Sequence, residues 1–203
     1  MPKKEKAENK KAENKKAENK IVADAADNSF LRLGSEFYRQ DVLTVAPSLL
    51  GKILARKLPD GTVLRYRILE TEAYRGMEDT ACHAKAGKTK RTAVMFSDGG
   101  HAYIYLCYGI HHLLNIVTGG QENPQAALIR SVEGFDGPAK LTKAMNITKA
   151  LNEIDLTKSD ELWIEDDGCR PEFITTKRIG INYATEPYRS IEWRFVVQSE
   201  TKI

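Results

Sequence analysis

Between residues 64 and 74 apolar and polar side chains alternate with period two, so that Leu64, Tyr66, Ile68, Glu70, Glu72 and Tyr74 share one parity. The pattern predicts a strand with all six on one face, apolar at its start and carrying two carboxylates at its end. A Glu where the pattern calls for burial costs energy unless a partner or a function compensates. A strand that leaves the core at Leu69, with both Glu solvated, fits the pattern equally well. Upstream, residues 41–50 read as a short helix, with Asp41 as cap, Val42, Val45, Leu49 and Leu50 as apolar stripe and Gly51 as terminator. Residues 52–58 and 62–73 flank Pro59-Asp60-Gly61 and are expected to pair as a hairpin. A second hairpin joins residues 102–108 to 112–117 across Gly109. Residues 126–131 give a further strand, 138–145 a helix with Pro138 in its first turn, and 192–197 a closing strand. The expected fold is α+β: a single mixed domain with a mostly antiparallel, curved sheet flanked by helices and a protruding hairpin.

The N-terminus follows neither period. Its Lys-Lys-Ala-Glu-Asn repeat of five residues offers no apolar stripe, and residues 1–27 are expected to be a disordered Lys/Glu/Asn-rich tail ahead of an ordered body over 28–203. The tail also distorts the charge. Residues 1–20 hold eight Lys and four Glu, a net of +4, which leaves −1 of the overall +3 for the rest. Nucleic-acid binding therefore needs a local cationic surface rather than a basic body. No run of about 20 apolar residues predicts a membrane span, and no apolar segment follows the N-terminal lysines as a secretory signal requires. Cys82, Cys107 and Cys169 are odd in number and widely spaced, which suits free thiols in a reducing, intracellular compartment.

Four stretches carry candidate chemistry. Glu70 and Glu72 close the long strand. His83 follows, and its neighbour Cys82 is too near to form a zinc pair with it; the remaining histidines add no ligand spacing, so no metal is expected. Lys85, Lys88, Lys90 and Arg91 fall in one acid-free loop, a composition that suits contact with phosphates and equally a solvated basic loop. Tyr103, Tyr105 and Tyr108 lead into the second hairpin turn. A rigid aromatic at that tip could fill the gap left by a flipped base, and Tyr105 could stack on such a base, although tyrosines are also ordinary sheet material. Asn115, amid Leu113, Leu114, Ile116 and Val117, needs a polar partner.

Taken in order, these segments resemble the alkyladenine (3-methyladenine) DNA glycosylase family. The resemblance rests on Glu70-Thr71-Glu72-Ala73-Tyr74, Glu78-Asp79, Ala81-Cys82-His83, Met95-Phe96 with Gly99-Gly100, Tyr103 to Gly109 running to Asn115-Ile116, Ala127 to Arg130 and Gly137 to Leu141. It spans roughly residues 31–197. It implies a monofunctional N-glycosylase of base-excision repair that flips an alkylated or deaminated purine out of duplex DNA and leaves an abasic site. Glu72 would activate the attacking water, with Arg130 holding that water and a nearby phosphate. Tyr74, His83 and Tyr105 would sandwich the base, Asn115 would help reject bases bearing an exocyclic amino group where undamaged guanine carries it, and Tyr108 would intercalate. Lys85, Lys88, Lys90 and Arg91 would meet the backbone. No cofactor is implied, and the partner is duplex DNA bearing damaged purines, bound by a monomer with no membrane involved. Ile110, where some members carry Met, and Ser97-Asp98, in place of a Lys-Pro-like loop, depart from the family pattern. Two readings from other classes remain open: a non-catalytic nucleic-acid-binding protein, and a nucleoside or glycoside hydrolase using Glu70 with Glu72.

Overall fold

The computed structural model describes residues 30–198, so the repeat tail and its boundary lie outside the described residues. The long alternating segment is a strand of thirteen residues, β3, and the rest of the fold is arranged around it. In chain order the elements are β1 (Leu31–Arg32), α1 (Ser35–Tyr38), α2 (Val42–Ser48), β2 (Ile53–Lys57), β3 (Val63–Arg75), β4 (Ala102–Cys107), β5 (His111–Thr118), β6 (Gln125–Val132), β7 (Phe135–Asp136), α3 (Pro138–Ala144), β8 (Leu162–Asp166), β9 (Phe173–Thr176) and β10 (Arg194–Val197). Short 3-10 turns occupy His83–Ala86, Ala93–Phe96 and Lys149–Leu151.

Among the described residues the ten strands join one open sheet whose main path runs β1-β8-β2-β3-β6-β5-β4, with β7, β9 and β10 attached beside it, and the pairings are antiparallel. The first half of β3 pairs with β2 as the Pro59-Asp60-Gly61 hairpin requires. Where β2 ends, β10 takes over the same edge opposite residues 70–72 and carries β9 on its far side. The other edge of β3 is held by β6 from Ile68 to Arg75. The site end of β3 therefore has both edges hydrogen-bonded, which fixes its side chains more firmly than an edge strand could. Among the described residues, no helix is long and apolar enough to cross a membrane.

The one-face expectation for β3 fails, and the failure creates the site. Ile68 pairs with Val132 and Thr71 with Ile129, but Glu70 between them sits opposite Ser131, with a register shift on either side. Before the irregularity Leu64, Tyr66 and Ile68 reach the main core. After it Ala73 does, and Thr71 donates its hydroxyl to the Ala46 carbonyl of α2 at 2.8 Å. A bulge puts one strand out of step with its partner, and each one-residue slip exchanges the faces. Glu70, Glu72 and Tyr74 are thereby turned away from the core that Leu64, Tyr66 and Ile68 fill. β6 switches in concert: Ile129 and Val132 both enter the core, leaving Arg130 free to point to the side of Glu70.

The core face of the sheet is covered by α2 and α3. Asp41 caps α2 by accepting from the Leu43 N–H at 2.9 Å, and Val42, Val45, Leu49 and Leu50 are buried as the stripe predicts. Close backbone approach matters at the Gly99-Gly100 pair. Gly99 and Gly100 donate to the carbonyls of Gly119 and Val117, and a β-carbon at Gly99 would stand 2.2 Å from the Tyr38 carbonyl oxygen. Gly99→Ala should therefore destabilise the fold by about 1–3 kcal/mol, since backbone rather than a flexible side chain would have to yield. A shift of the urea unfolding midpoint reports this, and an unchanged midpoint would show that the contact relaxes freely.

Candidate active site

The opposite face of the sheet carries a cross-strand row: Arg194 of β10, Glu72 of β3, Leu128 of β6, Asn115 of β5 and Tyr103 of β4 lie in register. Glu72 has no exposed surface. Its Oε1 accepts from the Ile179 N–H at 2.7 Å and stands 3.4 Å from the Arg130 guanidinium, while its Oε2 accepts from the Tyr74 hydroxyl at 2.8 Å. Burial pushes its carboxyl above the ordinary value, and Arg130, the Ile179 N–H and the Tyr74 hydroxyl act against that rise. The outcome is a base stronger than a solvated glutamate, with lone pairs left for a further donor. Glu70 is placed differently. Its Oε1 accepts from Arg130 Nε at 2.9 Å and from Arg194 Nε, so its charge is bound up in two ion pairs.

Tyr74 is fixed by groups with no period or spacing to announce them. The Arg178 guanidinium lies 4.7 Å from the centre of its ring and 5.3 Å from that of Trp193. The same guanidinium forms a bidentate pair with Asp79, at 2.6 and 2.9 Å, with both side chains fully buried. It also donates to the carbonyls of Ala73 and Tyr188. Asp79 in turn accepts from the N–H groups of Arg75 and Ala81. Buried ion pairs cost about 3–5 kcal/mol when one partner is removed, because the other charge is left uncompensated. This pair anchors the segment whose next residue, Ile179, donates to Glu72.

His83 begins the turn His83–Ala86 and bonds through Nδ1 to the Tyr103 hydroxyl at 2.9 Å. Its ring meets Tyr105 edge to face with centroids 4.7 Å apart. Burial, aided by the nearby Arg91 charge, depresses its pKa to about 4, so the imidazole is neutral at physiological pH. Asn115 is buried and donates from Nδ2 to the Tyr103 carbonyl at 3.2 Å, the partner its apolar surroundings call for. Tyr105 thus meets His83 and, with Tyr74, packs against the second, smaller core cluster, from which the Tyr74 hydroxyl reaches Glu72.

Tyr108 stands at the tip of the β4–β5 hairpin, 92% exposed, between the exposed Leu106 and Ile110. The turn has φ of 51° at Tyr108 and 74° at Gly109, and the Ile110 N–H donates to the Cys107 carbonyl, the signature of a type I′ turn. Among the predicted backbone residues, Lys85, Lys88 and Lys90 are exposed. Lys88 is paired with Glu122, Lys85 lies over the Tyr183 ring, and Arg91 lies over the Tyr105 ring at 5.1 Å. The loop cations are thus partly engaged within the protein.

Comparison with known proteins decides what this constellation belongs to. The sequence model of the family described as "Methylpurine-DNA glycosylase (MPG)" matches residues 36–137 and 134–201. The chain belongs to the methylpurine-DNA glycosylase family. A relative from Borreliella afzelii (strain PKo), whose name is "Putative 3-methyladenine DNA glycosylase", is 46% identical over 176 residues, covering 80% of this chain and 94% of its own. Proteins of the same name from Methanocella arvoryzae and Natranaerobius thermophilus are 43% identical over 183 residues and 38% identical over 192. The alignments cover 80% and 83% of this chain and 90% and 96% of those relatives.

Family membership makes the protein a DNA glycosylase, a hydrolase of N-glycosidic bonds in DNA repair. The sequence spread Glu72 with Tyr74, His83, Tyr105, Asn115 and Arg130 over separate segments; in the structure Glu72, Tyr74, Tyr105, Asn115 and Arg130 lie on adjoining strands of the sheet, and His83 reaches Tyr103 and Tyr105 from its turn. It missed Asp79 as an anchor, and it missed Arg178, the Ile179 N–H and Arg194 altogether. Asp79 stood in one of the family stretches without a role, and Arg178 lies in a loop with no periodic signal. The depressed His83 pKa has a consequence for stability. The unfolded chain binds a proton near pH 6.5 that the folded protein refuses until about pH 4, so the contribution of neutral His83 is present above that window and lost as pH falls through it. His83→Phe should lose less stability than wild type between about pH 7 and about pH 4 in urea titrations. Parallel decline of the two proteins would remove this assignment.

Proposed function

We propose that this glycosylase releases alkylated and deaminated purines, the 3-methyladenine, 7-methylguanine, hypoxanthine and ethenoadenine class, from duplex DNA and leaves an abasic site. The observation that carries the reading is the wholly buried Glu72 carboxylate, made more basic by burial yet held by three donors, one of them the Tyr74 hydroxyl. The relatives are named for 3-methyladenine, which supports that member of the class.

In this reading Tyr108, carried on its rigid turn, enters the base stack as a purine rotates out. The purine stacks among Tyr74, His83 and Tyr105, and Asn115, in the same cross-strand row as Glu72, reads its edge. The sugar develops oxocarbenium character as the bond from C1′ to the purine nitrogen breaks, with the bonding electrons passing to the base. Glu72 takes a proton from water, the water oxygen bonds to C1′, and the carboxylate charge steadies the sugar cation. Arg130, shared between Glu70 and Glu72, orients the carboxylate. An alkylated purine leaves as a neutral base once it takes the bonding pair, whereas a neutral lesion needs a proton as it departs. Glu72 itself is held by a phenol, a peptide N–H and a guanidinium, which suits a carboxylate that activates water as the attacking species and leaves an abasic site. The three cysteines are free, which suits work on DNA in a reducing compartment.

Glu72→Gln keeps the shape and loses the base, and should lower single-turnover excision by about 100-fold or more while leaving affinity for a lesion duplex in place. Retained excision would sink the assignment. Tyr108→Ser should weaken lesion-duplex binding without unfolding the protein, because its side chain touches little else. Equal affinity of the two proteins in a fluorescence anisotropy titration would take the wedge role from Tyr108.

A further inference from the structure

The arginines on the site face differ in what balances them. Arg130 is paired with Glu70 and Glu72, Arg194 with Glu70 and Arg178 with Asp79. Arg91, among the described residues, makes no ion pair with a carboxylate. Its guanidinium instead lies 5.1 Å from the centre of the Tyr105 ring, with Nη2 3.4 Å from His83 Nε2. An uncompensated positive charge thus stands against two of the rings that stack on the purine in the reading above.

We propose that Arg91 is a specificity-determining residue that biases excision against purines carrying a positive charge and toward neutral ones. The inference rests on the glycosylase reading given above. Alkylation at N3 or N7 places a unit charge on the purine ring, whereas hypoxanthine and ethenoadenine are neutral at physiological pH. A base stacked on Tyr105 is separated from the guanidinium by that ring, so both lesion classes lie within the reach of its charge and only one is repelled. The field is already felt at this spot, since Arg91 is the second cause, after burial, of the depressed His83 pKa. Two unit charges several ångströms apart at an effective dielectric of about 20 would differ by well over tenfold in occupancy, and solvent around the exposed Arg91 reduces that to roughly 5- to 10-fold.

The test is a ratio. Single-turnover efficiency is measured at fixed salt on duplexes identical except for 7-methylguanine or hypoxanthine, with wild type, Arg91→Gln and Arg91→Lys. Arg91→Gln should shift the ratio toward 7-methylguanine by roughly 5- to 10-fold, and Arg91→Lys, which keeps the charge, should hold it within about twofold of wild type. The ratio is independent of the folded fraction, so a partly unfolded variant still gives an answer. Equal changes on both duplexes, as a phosphate contact or a simple gate would produce, overturn the proposal, and so does a wild type that excises the cationic lesion alone. A wild type that excises neither lesion overturns the activity reading instead, which separates the two failures.

Discussion

A carboxylate with no contact to water is the constraint on which this structure turns. Left alone in such surroundings Glu72 would simply be protonated, and a protonated glutamate abstracts nothing. It is kept useful by donors from three different parts of the chain: Tyr74 on its own strand, Arg130 on β6 and the Ile179 N–H from the stretch before β10. Each donor needs its own support. Tyr74 lies against Arg178, Arg130 is steadied by Glu70, and the segment carrying Ile179 is tied down by Arg178 on Asp79. The double pairing of β3, with β6 on one edge and β10 on the other, is what brings these parts to one point.

The fold was largely readable because its hairpins announce themselves. Pro59-Asp60-Gly61 and Gly109 lie at the turns expected, and the Asp41 cap and the stripe of α2 are where the pattern puts them. What could not be read was the change of face within β3. Period two assumes an uninterrupted ladder, and a register shift leaves no trace in the alternation, since Glu70 and Glu72 keep their parity while changing sides. The neglected strands have their own reasons. Leu162–Asp166 is buried along four successive residues and so does not alternate, while Phe173–Thr176 is a short and mostly exposed edge.

The site was legible as residue types and illegible as a network. Spacing placed Glu72 and Tyr74 together, but only the fold brings Asn115 and Tyr103 into their row and Arg194 to their flank. Arg178 illustrates the limit: it is a loop arginine in the sequence and one of the most completely buried charges in the structure. Burial of a charge is a property of distant partners, here Asp79 a hundred residues away, and local pattern carries no information about it.

The sharing of Arg130 between Glu70 and Glu72 has an effect at longer range. Glu70, Glu72, Arg130 and Arg194 together carry no net formal charge. A backbone of phosphates laid over this face therefore meets a neutral cluster, whereas an unpaired carboxylate would oppose each phosphate within a Debye length of about 8–10 Å. Glu70 balances two arginines that lodge beneath the surface, so their charge does not add to the attraction of polyanions. Glu72 thus carries its charge within a balanced cluster that offers an approaching phosphate no net repulsion.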